Sequence, residues 1–265
     1  MIEITGATRV LLIAADPVAH VKTPQALNAI AAERGRDIVM VPCHVDSSGL
    51  PALLEGLRGM QSLAGLVVTA PHKVSAAALC DRLEAQASMA GAVNSIRRDA
   101  DGSLVGEIFD GLGFVGGLRA SGHRIEGQSV FLAGAGGAAN AIAFALAAAG
   151  IARLAIANRT PEKAEVLARR LARHFPALEI SVGEEGLGAA DIAVNATSAG
   201  LKSEDSHPFD VSRARRDALI AEVIMQPPIT ALLQAAREQG LAIHPGQAML
   251  ENQLALIARF LGVTE

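Results

Sequence analysis

A glycine-rich turn between a predicted strand and a predicted helix carries the most specific chemical signal in this sequence. Gly134, Gly136 and Ala139 fit the pattern G-x-G-x-x-[G/A], with an apolar strand before them and a helix after them. The first glycine allows a tight turn, the second lets a phosphate approach the backbone, and the small third residue lets helix and strand pack closely. The free N–H groups at the helix start attract anions. The alternative is a tight turn without a ligand. The predicted dinucleotide contacts are Gly134, Ala135, Gly136, Gly137 and Ala138.

The residues that follow the next predicted strand, 152–157, indicate which dinucleotide binds. Sites for NAD place Asp or Glu at this point to bind the ribose 2′-hydroxyl, whereas this sequence has Asn158, Arg159 and Thr160. The Arg159 guanidinium can form a charge-assisted fork with a 2′-phosphate, with Thr160 and Lys163 beside it, which favours NADP over NAD. The same segment also fits a plain helix start, with Thr160 as the N-cap and a proline at the first helical position.

Three other polar residues occupy positions that are unusual for connections in an α/β protein. Lys73 follows a buried strand and begins a predicted helix, where a cation is electrostatically unfavourable. Asn94 places an amide inside an apolar strand. Asp110 places a carboxylate at a strand end, where it could equally be a helix N-cap. Together these residues form a second candidate site for chemistry, outside the nucleotide-binding unit.

The elements that position these residues alternate between strand and helix, which predicts an α/β fold with a mostly parallel sheet. Asp101-Gly102 is typical of a hairpin turn. The predicted strands are 8–14, 38–45, 65–69, 92–97, 103–108, 129–133, 152–157, 179–182, 192–195, 219–224 and 242–244. The predicted helices are 23–34, 50–60, 74–83, 110–120, 138–149, 162–175, 230–239 and 247–261.

The order of these elements predicts two domains in the 265 residues. We expect an N-terminal three-layer α/β substrate domain over 1–104, to which the helix 247–265 returns. A Rossmann domain that binds NAD(P) follows over 105–246 and includes the linking helix. Ligands of such folds bind at the carboxyl ends of the strands, so we expect a cleft between the two domains.

Composition excludes several function classes. The net charge is −4, Trp and Tyr are absent, and no basic stripe is visible, so we expect no nucleic-acid partner. No uninterrupted run of about 20 apolar residues and no signal-peptide pattern occurs, so we expect no membrane partner. Cys43 and Cys80 are too few for a disulfide framework and lack metal-ligand spacing. We therefore expect no metal and a cytoplasmic location.

The motifs together resemble the shikimate dehydrogenase family, and the match runs over most of the chain. Seven segments occur in the family's order, which is more specific than any one of them. They are Thr69-x-Pro71-x-Lys73, Gly91–Asn94, Asp110-Gly111, Gly134–Ala138, Asn158–Thr160, Asn195–Gly200, and the C-terminal set of Gly246, Met249, Leu250 and Gln253.

The resemblance implies a role for each matching residue. Lys73 and Asp110 would be the catalytic pair, with Lys73 moving the hydroxyl proton while a hydride passes between a ring carbon and the nicotinamide. The residues implied to bind the ring substrate are Thr23, Thr69, Asn94 and Gln253, with Val21 at a position of the same site. Those implied to add cofactor contacts are Thr197, Gly246 and Met249.

The sequence departs from the family where the family holds the substrate carboxylate. The family's His-Ser-x-Ser-Pro is His20-Val21-Lys22-Thr23-Pro24 here. Thr23 keeps a hydroxyl, whereas the Val21 side chain cannot form a hydrogen bond. Each lost partner of a buried carboxylate costs about 1–3 kcal/mol, so shikimate binds more weakly unless the Lys22 charge compensates. The other departures are Met225 for Tyr, Val67 for Asn, and Ile108-Phe109 for Asn-Thr.

Three functions remain open at this point. The first is an NADP-dependent dehydrogenase for shikimate, 3-dehydroshikimate or a related cyclic polyhydroxy acid. The second is an NAD-dependent enzyme of the quinate/shikimate type with a different ring substrate. The third is a ligand sensor without turnover, against which the presence of both Lys73 and Asp110 argues. The expected partner is a small molecule, and the expected assembly is a monomer or homodimer.

Three histidines have structural expectations only. We expect His72 to be an exposed loop residue, although it neighbours Lys73. His244 lies on a short strand and is expected to pack in the interior. His20 matches a family position and is expected to shape its loop.

Overall fold

The computed structural model describes residues 3–19, 21–202 and 205–264, so His20 lies outside the described residues. The chain divides into two compact units. The first unit contains Met1–Phe109 and Gln253–Glu265, and the second contains Asp110–Asn252. Among the described residues, no helix combines the length and the apolar composition that a membrane crossing requires.

The first unit is built on a six-stranded mixed sheet with the order β2-β1-β3-β5-β6-β4. β1, β2 and β3 are parallel, whereas β5 runs antiparallel to both β3 and β6. Its strands are β1 (Arg9–Ala15), β2 (Ile38–His44), β3 (Leu63–Val68), β4 (Arg82–Leu83), β5 (Ser95–Arg98) and β6 (Leu104–Glu107). Its helices are α1 (Thr23–Glu33), α2 (Leu50–Arg58), α3 (Lys73–Ala77) and α4 (Ala85–Ala90).

The core of the first unit joins its sheet to the C-terminal helix. Every residue of β3 is buried, as expected for a central strand with both faces covered. The helix α9 (Gln247–Phe260) and the residues after it contribute Ile257, Ala258 and Leu261 to an apolar cluster with the strands β1 to β3 and the helix α1. The division between the two units falls within α9.

The second unit is built on a six-stranded, fully parallel sheet. Its order, β12-β11-β10-β7-β8-β9, is that of a doubly wound dinucleotide-binding fold. Its strands are β7 (Ser129–Ala133), β8 (Arg153–Ala157), β9 (Glu179–Val182), β10 (Ile192–Asn195), β11 (Leu219–Glu222) and β12 (Ala242–His244). Its helices are α5 (Asp110–Ala120), α6 (Gly137–Ala148), α7 (Pro161–His174) and α8 (Ala231–Glu238), with 3₁₀ turns at Glu185–Ala189 and Val211–Arg213.

The predicted fold class is confirmed, and most predicted elements lie within two residues of the observed ones. The helix predicted over 74–83 is wrong, because α3 ends at Ala77 and the segment Arg82–Leu83 is a strand. The helix α4 was not predicted. The strand predicted from residue 92 begins at Ser95, so Asn94 precedes the strand instead of lying inside it. The division into a substrate domain and a cofactor domain remains a prediction about function.

Candidate active site

The predicted phosphate-binding turn directly follows β7 in the second unit. Gly134 has a φ of +118°, and a Cβ there would lie 2.9 Å from the carbonyl oxygen of Ala196. Only glycine fits both the backbone conformation and the close approach. Gly136 is the N-cap of α6, and a Cβ there would have no atom within 4 Å. The open side at Gly136 and the free N–H groups of the first helical turn suit a bound anion.

A side chain that sequence reasoning missed holds this turn in place. The Nδ2 atom of Asn140 donates hydrogen bonds to the carbonyls of Ala135 (3.0 Å) and Gly136 (2.8 Å). Arg170 of α7 donates to the Asn140 Oδ1 atom at 3.2 Å, which fixes the orientation of the amide. The two carbonyls therefore point towards the Asn140 amide. The available signal was an amide in the otherwise apolar helix α6.

The residues predicted to select the nucleotide follow β8. Asn158 donates a hydrogen bond to the Thr160 carbonyl at 2.8 Å, which closes the turn. Thr160 is the N-cap of α7, but its side chain makes no capping hydrogen bond there. Arg159 and Lys163 are exposed, so their charges are available to a ligand at this edge of the sheet.

The loop after β10 is held by a buried polar network. The Asn195 Oδ1 atom accepts hydrogen bonds from the Thr197 N–H (3.0 Å) and the Thr197 hydroxyl (2.7 Å). Its Nδ2 atom donates to Glu222 at 2.5 Å, and the Thr230 hydroxyl donates to the second carboxylate oxygen of Glu222. Burial raises the pKa of Glu222. A Cβ on Gly134 would lie 3.3 Å from Thr197, so this loop neighbours the glycine turn.

Gly246 directly precedes the last helix, α9, Met249 lies in its first turn, and both belong to the second unit. A Cβ on Gly246 would lie 2.5 Å from the Ile224 carbonyl oxygen, so the backbone after β12 lies directly against the backbone after β11. Met249 is buried, and Met225 is half-buried. The carboxyl ends of β7, β8, β10 and β12 lie at one edge of the parallel sheet, and the glycine turn, Asn158–Thr160, Thr197 and Gly246 follow them there. Lys163 and Met249 lie in the first turns of the helices that follow, α7 and α9.

In the first unit, strand direction brings Thr69 and Asn94 to one edge. Thr69 follows the carboxyl end of β3, and Asn94 precedes the amino end of β5, which runs antiparallel to β3. The Val68 N–H donates to the Asn94 carbonyl at 2.8 Å, and the Asn94 N–H donates to the Glu107 carbonyl at 3.0 Å. The residues after β6, Phe109 among them, therefore leave the sheet at this same edge.

The Asn94 side chain is the centre of a buried hydrogen-bond network. Its Nδ2 atom donates to the Gln253 Oε1 atom at 3.1 Å, and its Oδ1 atom accepts from the Phe109 N–H at 3.2 Å and the Ser95 hydroxyl at 3.1 Å. Asn94 and Gln253 are 3% and 5% exposed. Gln253 is thus a buried residue of α9 that the Asn94 amide holds in place.

Lys73 is half-buried and begins α3, as predicted. The expectation that His72 is an exposed loop residue is wrong, because the side chain is fully buried. Its Nε2 atom lies 2.7 Å from the Val45 carbonyl oxygen, which anchors the segment after β3 to the segment after β2. The buried histidine thereby fixes the backbone directly before Lys73. Asp110, the first residue of α5, is buried at 2% exposure.

The segment that replaces the family's carboxylate-binding residues is partly apolar. Val21 is half-buried and packs against the apolar cluster of the first unit. Thr23 is the first residue of α1 and is half-buried, whereas Lys22 is exposed. His244 is buried, as expected, and desolvation lowers its pKa to about 4.

Two family models match the chain in succession. Residues 13–96 match the substrate binding domain of shikimate dehydrogenase, and residues 118–220 match the shikimate / quinate 5-dehydrogenase family. The first match contains Thr69, Lys73 and Asn94, and the second contains the glycine turn.

Individual relatives match nearly the whole chain. A shikimate dehydrogenase (NADP(+)) of Rubrobacter xylanophilus is 41% identical over 255 residues, covering 95% of this chain and 89% of the relative. The shikimate 5-dehydrogenase of Thermus thermophilus, solved with NADP(H) and shikimate, is 31% identical with a TM-score of 0.84, covering 96% of this chain and 93% of that one. The ligand-free 5-ketofructose reductase of Gluconobacter sp. strain CHM43 is 30% identical with a TM-score of 0.81, covering 97% and 96%. The chain belongs to the shikimate dehydrogenase family.

Proposed function

We propose that this protein is an NADP-dependent dehydrogenase that interconverts a ring hydroxyl and a ketone of shikimate and 3-dehydroshikimate, or of a related cyclic polyhydroxy acid. The observation that carries this proposal is the buried Asn94–Gln253 pair, at the sheet edge where Thr69 also lies. Buried amides are costly unless they are hydrogen-bonded, and this network fixes both side chains near the edge where we propose that a hydroxylated ring binds. The high identity to an NADP-dependent relative supports the same activity.

In this proposal Lys73 and Asp110 act on the proton of the reacting hydroxyl. Lys73 in its neutral form takes that proton as the hydride leaves the same carbon, and in the reverse direction its ammonium group returns the proton to the carbonyl oxygen. Asp110 orients Lys73 and holds a second hydroxyl. Thr69, Asn94 and Gln253 hold the remaining hydroxyls and thereby fix the ring in a reactive orientation.

The residues of the second unit fit NADP, which when bound supplies the hydride acceptor. The glycine turn gives the pyrophosphate access to the backbone at Gly136, and the exposed Arg159 and Lys163 offer cations to a 2′-phosphate. Thr197, Gly246 and Met249 line the same sheet edge on the side away from Arg159. Removing a hydrogen bond to a charged group costs about 1.5–3 kcal/mol, so Arg159→Ala lowers kcat/KM for NADP about 10- to 100-fold and leaves that for NAD unchanged.

The deciding experiment is reduction of NADP and NAD, measured separately, with shikimate and with quinate. We expect turnover with NADP and shikimate, and a loss of about 100- to 10,000-fold in kcat for Lys73→Ala. The control is Arg34→Ala, which removes an exposed cation of the same unit to which no role in the site is assigned. Turnover with NAD and quinate alone would favour the NAD-dependent alternative. Nucleotide binding without turnover on either acid would favour the ligand sensor.

A second candidate substrate class is an uncharged polyhydroxy ketone. The specific observation is Val21, which packs into the apolar cluster where the family places a carboxylate-binding serine. The similarity to 5-ketofructose reductase also favours an uncharged polyhydroxy ketone as the substrate. If Val21 and Met225 have removed hydrogen-bond partners of the substrate carboxylate, Val21→Ser combined with Met225→Tyr raises kcat/KM for shikimate. If this double variant folds and its kcat/KM for shikimate does not rise, the hypothesis of an altered carboxylate-binding segment is contradicted.

Location and assembly complete the proposal. Both cysteines, Cys43 and Cys80, are free, which suits a reducing compartment such as the cytoplasm. We propose a monomer or homodimer, which light scattering of the purified protein tests directly.

A further inference from the structure

The first unit contains an open groove of about 610 Å³ that runs from the amino ends of β1 and β3 along α9 to Phe109. Arg9 begins β1 and Ala64 lies near the start of β3, whereas Thr69 follows the other end of β3. Phe109 follows β6 at the same edge as Thr69, so the groove reaches towards the candidate substrate site. None of the described residues to which the proposed function assigns a role is among those that line it. The charged residues that line it are Arg9, Arg97, Arg98, Asp99 and Arg259.

The groove concentrates positive charge in a protein whose net charge is −4. Four of its lining residues are arginines, and Asp99 is the single acid among them. These arginines come from β1, β5 and α9, so they are far apart in the sequence and form no basic stripe in it. An anion bound in the groove would be attracted by these charges.

Several of these guanidinium groups are held in place by bonds that leave most of their N–H groups unused. Arg9 donates to the Leu63 carbonyl at 3.2 Å. Arg98 follows Arg97 in β5 and therefore faces the other side of the sheet, where it donates to the carbonyls of Arg58 (2.8 Å) and Asp99 (3.1 Å), so the cations that face the groove are Arg9, Arg97 and Arg259. Each guanidinium has five N–H donors, and a carbonyl does not neutralise its charge. Arg97 pairs with Asp99 at 2.7 Å and lies over the Phe260 ring, 4.9 Å from its centroid. The groove therefore presents ordered cations beside an apolar wall.

We propose that this groove binds a small phosphate-bearing metabolite. Arginine forks match the paired oxygens of a phosphate, and two or three such cations within one groove suit a ligand with more than one negative charge. The apolar wall of Phe109, Leu256 and Phe260 accepts the organic part of the ligand. This site lies outside the residues to which the proposed activity assigns a role.

The groove is linked to the candidate substrate site through two short paths. Phe109 lines the groove with its side chain, while its backbone N–H donates to the Asn94 Oδ1 atom at 3.2 Å. Leu256 lies one turn after Gln253 on α9, and Gln253 accepts from Asn94 at 3.1 Å. Because a ligand in the groove contacts Phe109 and Leu256, its binding changes the affinity for the ring substrate, and the substrate changes the affinity for the groove ligand by the same factor.

The binding test uses inorganic tripolyphosphate as the probe and titration calorimetry of the full chain saturated with NADP, so that the glycine turn and Arg159 are already occupied. The variant is Arg9→Gln with Arg259→Ala, two exposed groove residues. The matched control is Arg169→Ala with Arg237→Ala, two exposed arginines of the second unit. We expect the Kd for tripolyphosphate to rise at least 10-fold in the groove variant and to stay unchanged in the control.

Equal affinities in both variants would overturn the proposal. The proposal would also be overturned if potassium chloride of the same ionic strength raised the Kd of the wild type for tripolyphosphate to that of the groove variant. That result would indicate an adventitious ion only. Should the double variant fail to fold, Arg259→Glu replaces it, since it changes a single exposed side chain in the last turn of α9.

The linkage to the substrate site has its own readout and rests on the proposed function. We expect saturating tripolyphosphate to change the KM for the ring substrate in the wild type and not in the groove variant. Binding without any change in KM overturns the linkage while leaving the groove site intact. Absence of turnover would refute the proposed function, and the calorimetric result would still decide the groove.

Discussion

The two units build their candidate sites in different ways. In the second unit, most predicted cofactor residues lie in the short turns that follow the strands of one parallel sheet, and Lys163 and Met249 lie in the helices after such turns. In the first unit, the Asn94 amide meets Gln253, which is 159 residues away in sequence. A site made of local turns leaves a recognisable motif in the sequence. A site made of distant side chains leaves only isolated polar residues, whose partners become visible in the fold.

The sharpest test of the locally built site compares two glycines of one turn. Gly134→Ala places a side chain at φ +118° and 2.9 Å from a carbonyl oxygen, so we expect a loss of about 4 kcal/mol in unfolding free energy from backbone strain and overpacking. Gly136→Ala meets open space, so it keeps stability and weakens NADP binding because the pyrophosphate can no longer approach the backbone closely. Urea unfolding and calorimetry measure the two effects. Equal stability of both variants contradicts this account of the turn.

His244, a buried histidine of the second unit, is expected to make the unfolding free energy depend on pH. Its pKa is lowered to about 4 by burial and by the neighbouring His123, whereas the unfolded value is near 6.5. The folded state therefore disfavours protonation, and the stabilisation present above pH 6.5 is lost as the pH falls towards 4, by up to about 3 kcal/mol. We expect His244→Leu to flatten this part of the stability profile.

His207→Leu is the control for this titration, because His207 is an exposed histidine of the same unit. The unfolding free energy of His207→Leu should fall with decreasing pH as steeply as that of the wild type. An equally steep fall for His244→Leu would mean that other groups cause the acid sensitivity.

The non-local site is tested by Asn94→Ala. This change leaves the Phe109 N–H and the Gln253 amide without their buried partner, at a cost of about 2 kcal/mol in unfolding free energy. We also expect a higher KM for the ring substrate and an unchanged Kd for NADP. The control is Asn252→Ala, the half-buried amide immediately before Gln253, which bonds only within its own helix in the contacts described. A changed Kd for NADP in Asn94→Ala would contradict the assignment of Asn94 to the substrate site alone.

The smallest expected effect concerns Asn140, the residue of the locally built site that no motif contains. Asn140→Ala releases the carbonyls of Ala135 and Gly136, so the turn has to be ordered when the pyrophosphate binds. We expect about 10-fold weaker NADP binding, corresponding to about 1.4 kcal/mol, and unchanged binding of adenosine 2′-phosphate, which lacks the pyrophosphate. Equal losses for both ligands would mean that the variant disturbs the Arg159 side as well. Arg169→Ala, on the exposed face of α7, is the control.

The same contrast explains what the sequence could predict. The strand–turn–helix at Gly134 was predicted correctly because its form depends on neighbouring residues. The role of Arg159, which rests on the same kind of local pattern, stays a prediction. The helix predicted over 74–83 failed because its alanines favour a helix locally, whereas pairing with β6 makes Arg82–Leu83 a strand. The burial of His72 was missed because its partner, the Val45 carbonyl, belongs to another strand's end. The arginine groove was missed because its residues converge only after folding.

The division within α9 has a consequence for synthesis on the ribosome. The first unit needs Ile257, Ala258, Leu261 and Val263 to close its core, although its other residues precede Asp110. Domains fold as units while the chain emerges at about 5–20 residues per second, so the whole second unit, Asp110–Asn252, is made before the first unit can be completed. For on the order of ten seconds the strands β1 to β3 exist with part of their apolar surface uncovered. The part of the chain made first is therefore the last to reach its native state, and it is the part that depends most on protection during that interval.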